Sequence, residues 1–154
     1  MKKIIKEEIV KIAQVHEKRL SYALKSLVHL IPFTAEKVLN LNEHDFLVVE
    51  LMTSRFSKLQ DFVGSKIINL FLDVSQESHE ALTMIDKLNK LEKFHILDDK
   101  DVWQEMKELR NHLAHEYPDQ PELVAQFLNQ TYSFSQELLQ ILSKLLGRIG
   151  KNID

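Results

Sequence analysis

The sequence contains no cysteine, and only three glycines and three prolines occur in its 154 residues. The absence of cysteine excludes disulfides, thiolate metal sites and thiol nucleophiles, and it suits a reducing compartment, so we expect a cytoplasmic protein. The scarcity of glycine and proline, with abundant Leu, Ile, Lys and Glu, favours long helices joined by short connections. The composition therefore predicts an all-α fold.

A long apolar run and a strong charge of one sign are also missing. No stretch approaches the ~20 uninterrupted apolar residues of a membrane span, and the first eight residues are too charged for a signal peptide, so we expect a soluble protein without membrane contact. The formal charge is −3, from 20 Lys and Arg against 23 Asp and Glu. This balance argues against a cationic surface that coats nucleic acid, and any such contact must be local.

With 44% hydrophobic content, residues 1–154 fit one domain with one core. Hydrophobic periodicity predicts an up-down bundle of four to five helices. The first helix is predicted over about residues 2–30 and ends before Pro32. Its apolar stripe comprises Ile5, Ile9, Ile12, His16, Ala23, Leu27 and Leu30. We expect His16 to be a partly buried, hydrogen-bonded residue rather than a functional one.

Capping residues divide the middle of the chain. Thr34 and Asn42 are predicted N-caps, with a short turn of helix between them, and the second helix then runs from about residue 43 to residue 71. Gly64 would allow another helix to approach it closely. Asp73 or Ser75 is predicted to cap a third helix that ends after residue 93. That helix is expected to turn Leu82, Ile85 and Leu88 inward.

The last two helices are marked by an aspartate and a proline. Asp98 is the predicted N-cap of the fourth helix, and Pro121 the first residue of the fifth, which continues to the C-terminus. The fourth helix is expected to bury Val102, Met106, Leu109 and Leu113. The stripe of the fifth comprises Leu123, Phe127, Thr131, Phe134, Leu138, Ile141, Leu145 and Ile149. Trp103 is expected to be a packing anchor, although it could also line a binding site or a dimer interface.

The main functional signal closes the fourth helix, just before Pro118. It reads Arg110-Asn111-His112-Leu113-Ala114-His115-Glu116-Tyr117. This short segment at a helix end contains a guanidinium, an amide, two imidazoles and a phenol. Helix packing does not require so many reactive polar groups, so the segment is a candidate functional site. The structural alternative is that Arg, Asn and His stabilise the helix C-terminus by donating to its free carbonyls and opposing the dipole.

Helical geometry limits how the polar residues of this motif can cooperate. Arg110 and His115 lie roughly 140° apart around an unbroken helix and about 7.5 Å apart along it, whereas Asn111 and His115 share a face. Arg110 and His115 could reach one substrate if the last turn unwinds toward Pro118. Alternatively, two copies of the helix meet across a two-fold axis and supply two Arg and two His to one cleft.

Such a set of side chains suits phosphodiester cleavage without a metal or other cofactor. A neutral imidazole can accept the proton of a ribose 2′-hydroxyl, a second imidazole can protonate the leaving oxygen, and guanidinium can stabilise the charge on the phosphorane. Because the nucleophile belongs to the ribose, RNA is the expected substrate and DNA is not. His112 lies on a different face of the helix from His115. It is expected to cap the helix or to orient the catalytic residues without contacting the substrate.

The motif resembles the signature of the HEPN superfamily, in which an Arg is followed a few residues later by a His. It is more similar to that of the HepT-like toxins, which add a Tyr two residues after the His. This resemblance implies an all-α, homodimeric ribonuclease toxin that needs no metal and is paired with a minimal nucleotidyltransferase antitoxin.

Carried over by position, Arg110 and His115 would be catalytic, Asn111 would support them, and Tyr117 would receive adenylate from the antitoxin. Related HEPN proteins are non-catalytic substrate-binding subunits of nucleotidyltransferases, so this function remains an alternative. A purely structural bundle is a third interpretation.

Overall fold

The computed structural model describes residues 3–152, apart from the side chain of Asn152, and all regular structure in this range is helical. The elements are α1 Lys3–Leu27, α2 Ala35–Leu39, α3 Glu43–Phe62, α4 Ile68–Val74, α5 Met84–Lys93, α6 Lys100–Leu113 and α7 Pro121–Asn152. A 3₁₀ turn, Val28–Leu30, extends α1, and a π-helical turn, Val63–Ile67, joins α3 to α4. The predicted all-α helical bundle is confirmed. None of the helices in residues 3–152 is long and apolar enough to cross a membrane.

The first helix has its predicted bounds, except that residue 2 lies outside the described residues. Its predicted stripe is only partly correct, because Ile5 and Ile12 are 46% and 40% exposed. These two isoleucines are displaced by about 60–100° around the helix from Ala13 and Leu20, which face the core. The buried residues of α1 are Ile9, Ala13, Leu20, Ala23, Leu24 and Leu27.

Both predicted caps around the short helix α2 are confirmed. The Thr34 side chain accepts a hydrogen bond from the Lys37 N–H, and the Asn42 side chain accepts one from the Asp45 N–H. The second predicted helix is the continuous rod formed by α3, the π turn and α4. Gly64 in this rod faces α6, since a Cβ at this position would stand 3.2 Å from the Trp103 ring. The predicted close approach of a second helix is therefore confirmed.

The predicted start of the third helix is wrong. Helix α4 continues to Val74, Ser75 ends it, and the chain then needs a left-handed residue, Gln76 at φ 60°, before α5. The true N-cap is Thr83, which forms a capping box with Asp86. Helix α5 consequently begins at Met84, and its buried residues are Leu88 and Leu91, whereas Ile85 is 57% exposed.

Helix α6 is capped by Asp99 and not by Asp98 as predicted. The Asp99 carboxylate accepts a hydrogen bond from the Asp101 N–H at 2.9 Å. The fully buried residues of α6 are Trp103, Met106 and Leu109, while Val102 and Leu113 are partly buried. Trp103 is thus a packing anchor, as expected.

Helix α7 begins at Pro121 as predicted, and at 32 residues it is roughly 48 Å long. It packs against α1, α2, α3, α4 and α6. A reciprocal hydrogen-bond pair attaches the segment before α2 to it, because Asn129 accepts from the Phe33 N–H at 2.7 Å and donates to the Phe33 carbonyl at 3.0 Å. Helix α7 therefore contacts five other helices, including α6, which carries the motif.

Candidate functional site

The helix that carries the motif ends earlier than predicted. Helix α6 stops at Leu113, and Ala114 forms its C-cap. The Ala114 N–H donates to the Asn111 carbonyl at 3.3 Å, and the His115 N–H donates to the His112 carbonyl at 3.1 Å, so the last turn tightens before it ends. His115 and Tyr117 therefore lie on the connection to α7 and not on the helix.

A turn reverses the chain directly after the motif. The Gln120 N–H donates to the Tyr117 carbonyl at 3.2 Å, and Pro118 occupies the second position of this four-residue turn, which suits its fixed φ. Tyr117 leaves the helical path, since a residue before proline is pushed toward extended backbone. The turn delivers the chain into Pro121 and the first residues of α7.

Phe127 of α7 anchors two aromatic residues of the motif. The His112 ring stacks on it with centroids 4.9 Å apart and an interplanar angle of 14°, and the Tyr117 ring packs against it at 5.5 Å. His112 is exposed and Tyr117 is partly buried. No hydrogen bond to the Tyr117 hydroxyl occurs among residues 3–152, so the ring is held by packing while its hydroxyl is left available.

An open cavity of about 440 Å³ lies beside this aromatic cluster. His112, His115, Glu116 and Tyr117 form one side of it, and helices α2, α3 and α7 close the rest. Its remaining lining residues are Val38, Leu39, Glu50, Thr53, Leu113, Pro118, Pro121, Val124, Phe127 and Leu128. Two imidazoles, a phenol and two carboxylates therefore meet at one accessible, partly apolar cavity, which we call the His115 cavity.

Arg110 points elsewhere. Its guanidinium Nη2 donates to the Asp61 carboxylate of α3 at 2.5 Å, and both side chains are partly exposed. Its Nε atom is buried and has no hydrogen-bond partner among the described residues. Arg110 lines a separate cavity of about 280 Å³ with Asp61, Gly64, Trp103 and Lys107. The motif arginine is therefore part of a surface ion pair between α6 and α3.

The two cavities are separated along α3. The His115 cavity reaches Glu50 and Thr53 of this helix, whereas the Arg110 cavity begins at Gln60, about two turns or roughly 10 Å beyond Thr53. The end of α6 does unwind, which was the first of the two predicted geometries. Arg110 and His115 nevertheless line different cavities within one chain. Asn111 is exposed and lines neither of them.

Several residues near the motif could not be recognised from the sequence. Asp61, Glu50 and Phe127 carry no local signal, because each meets the motif only through tertiary packing. Among residues 3–152, no group of three or more His, Asp and Glu side chains is arranged to hold a metal ion.

His16 lies outside both cavities and behaves as a partly buried residue of the bundle. Its Nδ1 atom faces an Arg55 Nη1 at 3.4 Å, and its ring packs near Phe62. Burial, followed by the positive charges of Arg55 and Lys58, lowers the pKa of His16 below its ordinary value of 6.5. This environment agrees with the expectation of a packed, hydrogen-bonded histidine.

Comparisons of the chain with protein family models, with curated proteins and with solved structures found no match. Function must therefore be inferred from the motif and from its surroundings at the end of α6.

Proposed function

We propose that this chain is a metal-independent endoribonuclease of the HEPN type, acting as the toxin of a toxin and antitoxin pair. The observation that carries this proposal is the meeting of His112, His115 and Tyr117 at one open cavity beside the C-terminal end of α6. Their side chains supply the acid-base groups for RNA cleavage and an acceptor hydroxyl for its control. The available Tyr117 hydroxyl and the early end of α6 support both roles.

The cleavage step needs one proton acceptor, one proton donor and one cation. The His115 imidazole accepts the proton of the ribose 2′-hydroxyl as that oxygen attacks phosphorus. A second imidazole, from the partner copy's His115 or from His112, protonates the departing 5′-oxygen. Arg110 stabilises the negative charge of the phosphorane, with Asn111 in support. The products are a 2′,3′-cyclic phosphate and a 5′-hydroxyl.

A homodimer would bring Arg110 to the imidazoles. Since Arg110 and His115 line different cavities of one chain, we propose that the C-terminal half of α6 lies at a two-fold axis, where the arginine of one copy faces the His115 cavity of the other. The guanidinium must then exchange Asp61 for a phosphate. Because the ion pair is exposed, this exchange costs only about 0–1 kcal/mol.

Adenylylation of Tyr117 would switch the enzyme off. The phenol oxygen attacks the α-phosphate of ATP on a minimal nucleotidyltransferase, pyrophosphate leaves, and the phenol proton passes to a base of that partner. The resulting phosphodiester places a negative charge and an adenosine at the His115 cavity. RNA backbone is thereby repelled and blocked from both imidazoles.

One observation favours a second function, that of a non-catalytic substrate-binding subunit of the nucleotidyltransferase. The Arg110–Asp61 ion pair neutralises the cation that cleavage requires. In this alternative, Arg110 has a structural role in the ion pair between α6 and α3. The His115 cavity then binds the substrate of the nucleotidyltransferase without cleaving it.

RNA cleavage by the purified chain separates the two functions. Single-stranded RNA should yield fragments that end in 2′,3′-cyclic phosphate, in the presence of chelator as well as in its absence. An oligonucleotide with a single 2′-deoxyribose at the cleaved position should resist cleavage there. If RNA stays intact, or if cleavage requires a divalent metal, the ribonuclease assignment is wrong.

A further inference from the structure

Helix α1 carries a second apolar face, which the other helices of residues 3–152 leave uncovered. It includes Ile5 and Ile12, the isoleucines that periodicity assigned to the core. The exposed fractions are 77% for Ile4, 46% for Ile5, 40% for Ile12, 51% for Val15 and 57% for Tyr22. An isolated exposed apolar residue is ordinary, but several on one face of one helix indicate an interaction surface.

The exposed residues follow the spacing of a helix-pairing seam. Steps of three and four residues lead through Ile5, Glu8, Ile12, Val15, Arg19 and Tyr22, which we call the α1 seam. This alternation repeats every seven residues, as in helices that pair along their length. Glu8 and Arg19 interrupt the apolar sequence, and both are exposed. Neither forms an ion pair with another residue of 3–152.

The α1 seam is complementary to itself in the antiparallel direction. When two copies are centred between residues 13 and 14, Ile5 faces Tyr22 of the second copy, and Ile12 faces Val15. In the same register, Glu8 faces Arg19 of the second copy. A parallel pair would instead bring Glu8 against Glu8 and Arg19 against Arg19, which is unfavourable. Charge complementarity therefore selects both the orientation and the register.

We propose that the α1 seam binds the α1 seam of a second copy of this chain, antiparallel and across a two-fold axis. Such an interface is isologous, so each contact occurs twice, and one Glu8 to Arg19 pair is formed on either side of the axis. Ile12 and Val15 form the apolar layers around the axis, between the two charge pairs, and Ile5 with Tyr22 forms an apolar layer beyond each charge pair.

The size of the seam sets the strength of this association. From Ile5 to Tyr22 it extends roughly 25 Å, and one helix face about 10 Å wide then covers a few hundred Å² per copy, compared with about 800 Å² in a standard stable interface. Lys11 and Lys18 lie beside the seam, on the side of α1 that faces away from the core. When two seams pair, the lysines of the two copies come close at the edge of the interface, and their repulsion weakens the association. The α1 pair is therefore a weak, concentration-dependent contact.

This surface is distinct from the candidate functional site. Within residues 3–152, α1 contributes no lining residue to the His115 cavity or to the Arg110 cavity. The inference does not depend on the proposed ribonuclease function. If the chain also pairs through α6, the two interfaces together would build assemblies larger than a dimer.

Reversing the charge of Glu8 or of Arg19 in the full-length chain tests the α1 seam. Sedimentation velocity over a concentration series should give an association constant that falls about tenfold for Glu8→Arg and for Arg19→Glu, because each change places like charges opposite one another twice. The double variant Glu8→Arg/Arg19→Glu restores both pairs and should recover the original constant. Glu7→Arg, exposed and turned about 100° away from Glu8, is the matched control and should change little. Unchanged association in both single variants, or a double variant as weak as they are, would overturn the proposal.

The absence of cysteine permits a second test of orientation. Ile5→Cys mixed with Tyr22→Cys should form a covalent dimer with a short bis-maleimide. Either variant alone should not, because the two copies of residue 5 lie roughly 25 Å apart in the antiparallel pair. Efficient cross-linking of Ile5→Cys alone would establish a parallel contact. A dimer that cross-links in none of these combinations would place the interface elsewhere and overturn the inference.

Discussion

The guanidinium of Arg110 on α6 is paired with the carboxylate of Asp61 on α3, 49 residues earlier in the chain. The side chains are 33% and 53% exposed, so the pair is formed at the surface and solvent weakens it. For a residue proposed to bind a phosphorane, this carboxylate competes with the substrate. Under the proposed ribonuclease function, we therefore expect Asp61, which lies outside the motif, to influence the rate of cleavage.

Removing the charge of Asp61 should raise ribonuclease activity. Asp61→Asn frees the guanidinium at a saving of up to ~1 kcal/mol, which corresponds to an increase of up to about fivefold in kcat/KM. The initial rate of cleavage of a fluorescent RNA measures this effect. Asp61→Glu keeps the competing charge and serves as the control. Decreased activity of Asp61→Asn would mean that the carboxylate positions Arg110 rather than competes for it.

His115→Ala and Arg110→Ala should each abolish RNA cleavage while the helix content is retained. Loss of an acid-base group lowers the rate by ~10²- to 10⁴-fold, and loss of a charge-stabilising donor lowers it by a similar factor. Product analysis for cyclic phosphate ends, with circular dichroism on the same samples, provides the measurement. His44→Ala and Lys93→Ala change exposed residues that line neither cavity and should keep full activity. Cleavage that survives both site substitutions would show that the site is assigned wrongly.

Tyr117 should be the residue that a cognate nucleotidyltransferase modifies with ATP. Its ring is fixed against Phe127 while its hydroxyl is available, so an incoming partner meets an ordered acceptor. Peptide mass mapping after incubation should locate one adenylate on Tyr117, and Tyr117→Phe should stay unmodified and remain an active ribonuclease. Tyr22 is 57% exposed and provides the comparison, since Tyr22→Phe should be modified as efficiently as the unaltered chain. Adenylate on Tyr22 or Tyr132 would contradict the assignment.

His16 should make the bundle less stable in mild acid. Burial lowers its pKa below the unfolded value of 6.5, so between these two pKa values the unfolded chain binds a proton that the folded chain does not. The free energy of unfolding contributed by His16 therefore falls as pH drops through this window, and it stays constant below the folded pKa. Urea denaturation at pH 7.5 and pH 5.5 should reveal a smaller loss in His16→Gln than in the unaltered chain. The control variant Gln14→Ala, which changes an exposed residue without a titratable group on the same helix, should lose as much as the unaltered chain.

Local signals explain which parts of the fold could be predicted. Thr34 and Asn42 cap their helices through hydrogen bonds to residues three positions later, and Pro121 begins α7 because its fixed φ suits a first turn. The start of α5 was missed because Asp73 and Ser75 carry the same chemistry as true caps. Asp73 instead accepts a hydrogen bond from the His79 ring at 2.8 Å, in a loop whose conformation depends on Gln76.

Periodicity could not distinguish the two apolar faces of α1. Ile5 and Ile12 have a spacing that fits either a core stripe or a surface seam, and the positions of α3 and α7 decide which one is covered. The site shows the same limit. The motif allows an unwound helix end as one of two possible geometries, and Pro118 explains why the chain leaves the helix before it. Nothing in the motif indicates that Arg110 pairs with Asp61, because a contact across 49 residues leaves no local signal.

The packing of α7 against α1, α2, α3, α4 and α6 has a consequence for local unfolding. Amide hydrogens in the middle of this helix can exchange with solvent only when most of the bundle opens, so they should be among the slowest in the chain. The segment 114–120 is held by short turns and by the packing of the Tyr117 ring against Phe127. Its amides can therefore exchange through small openings that leave α7 intact, and the loop that carries His115 and Tyr117 can adapt to a bound partner without unfolding the helix behind it.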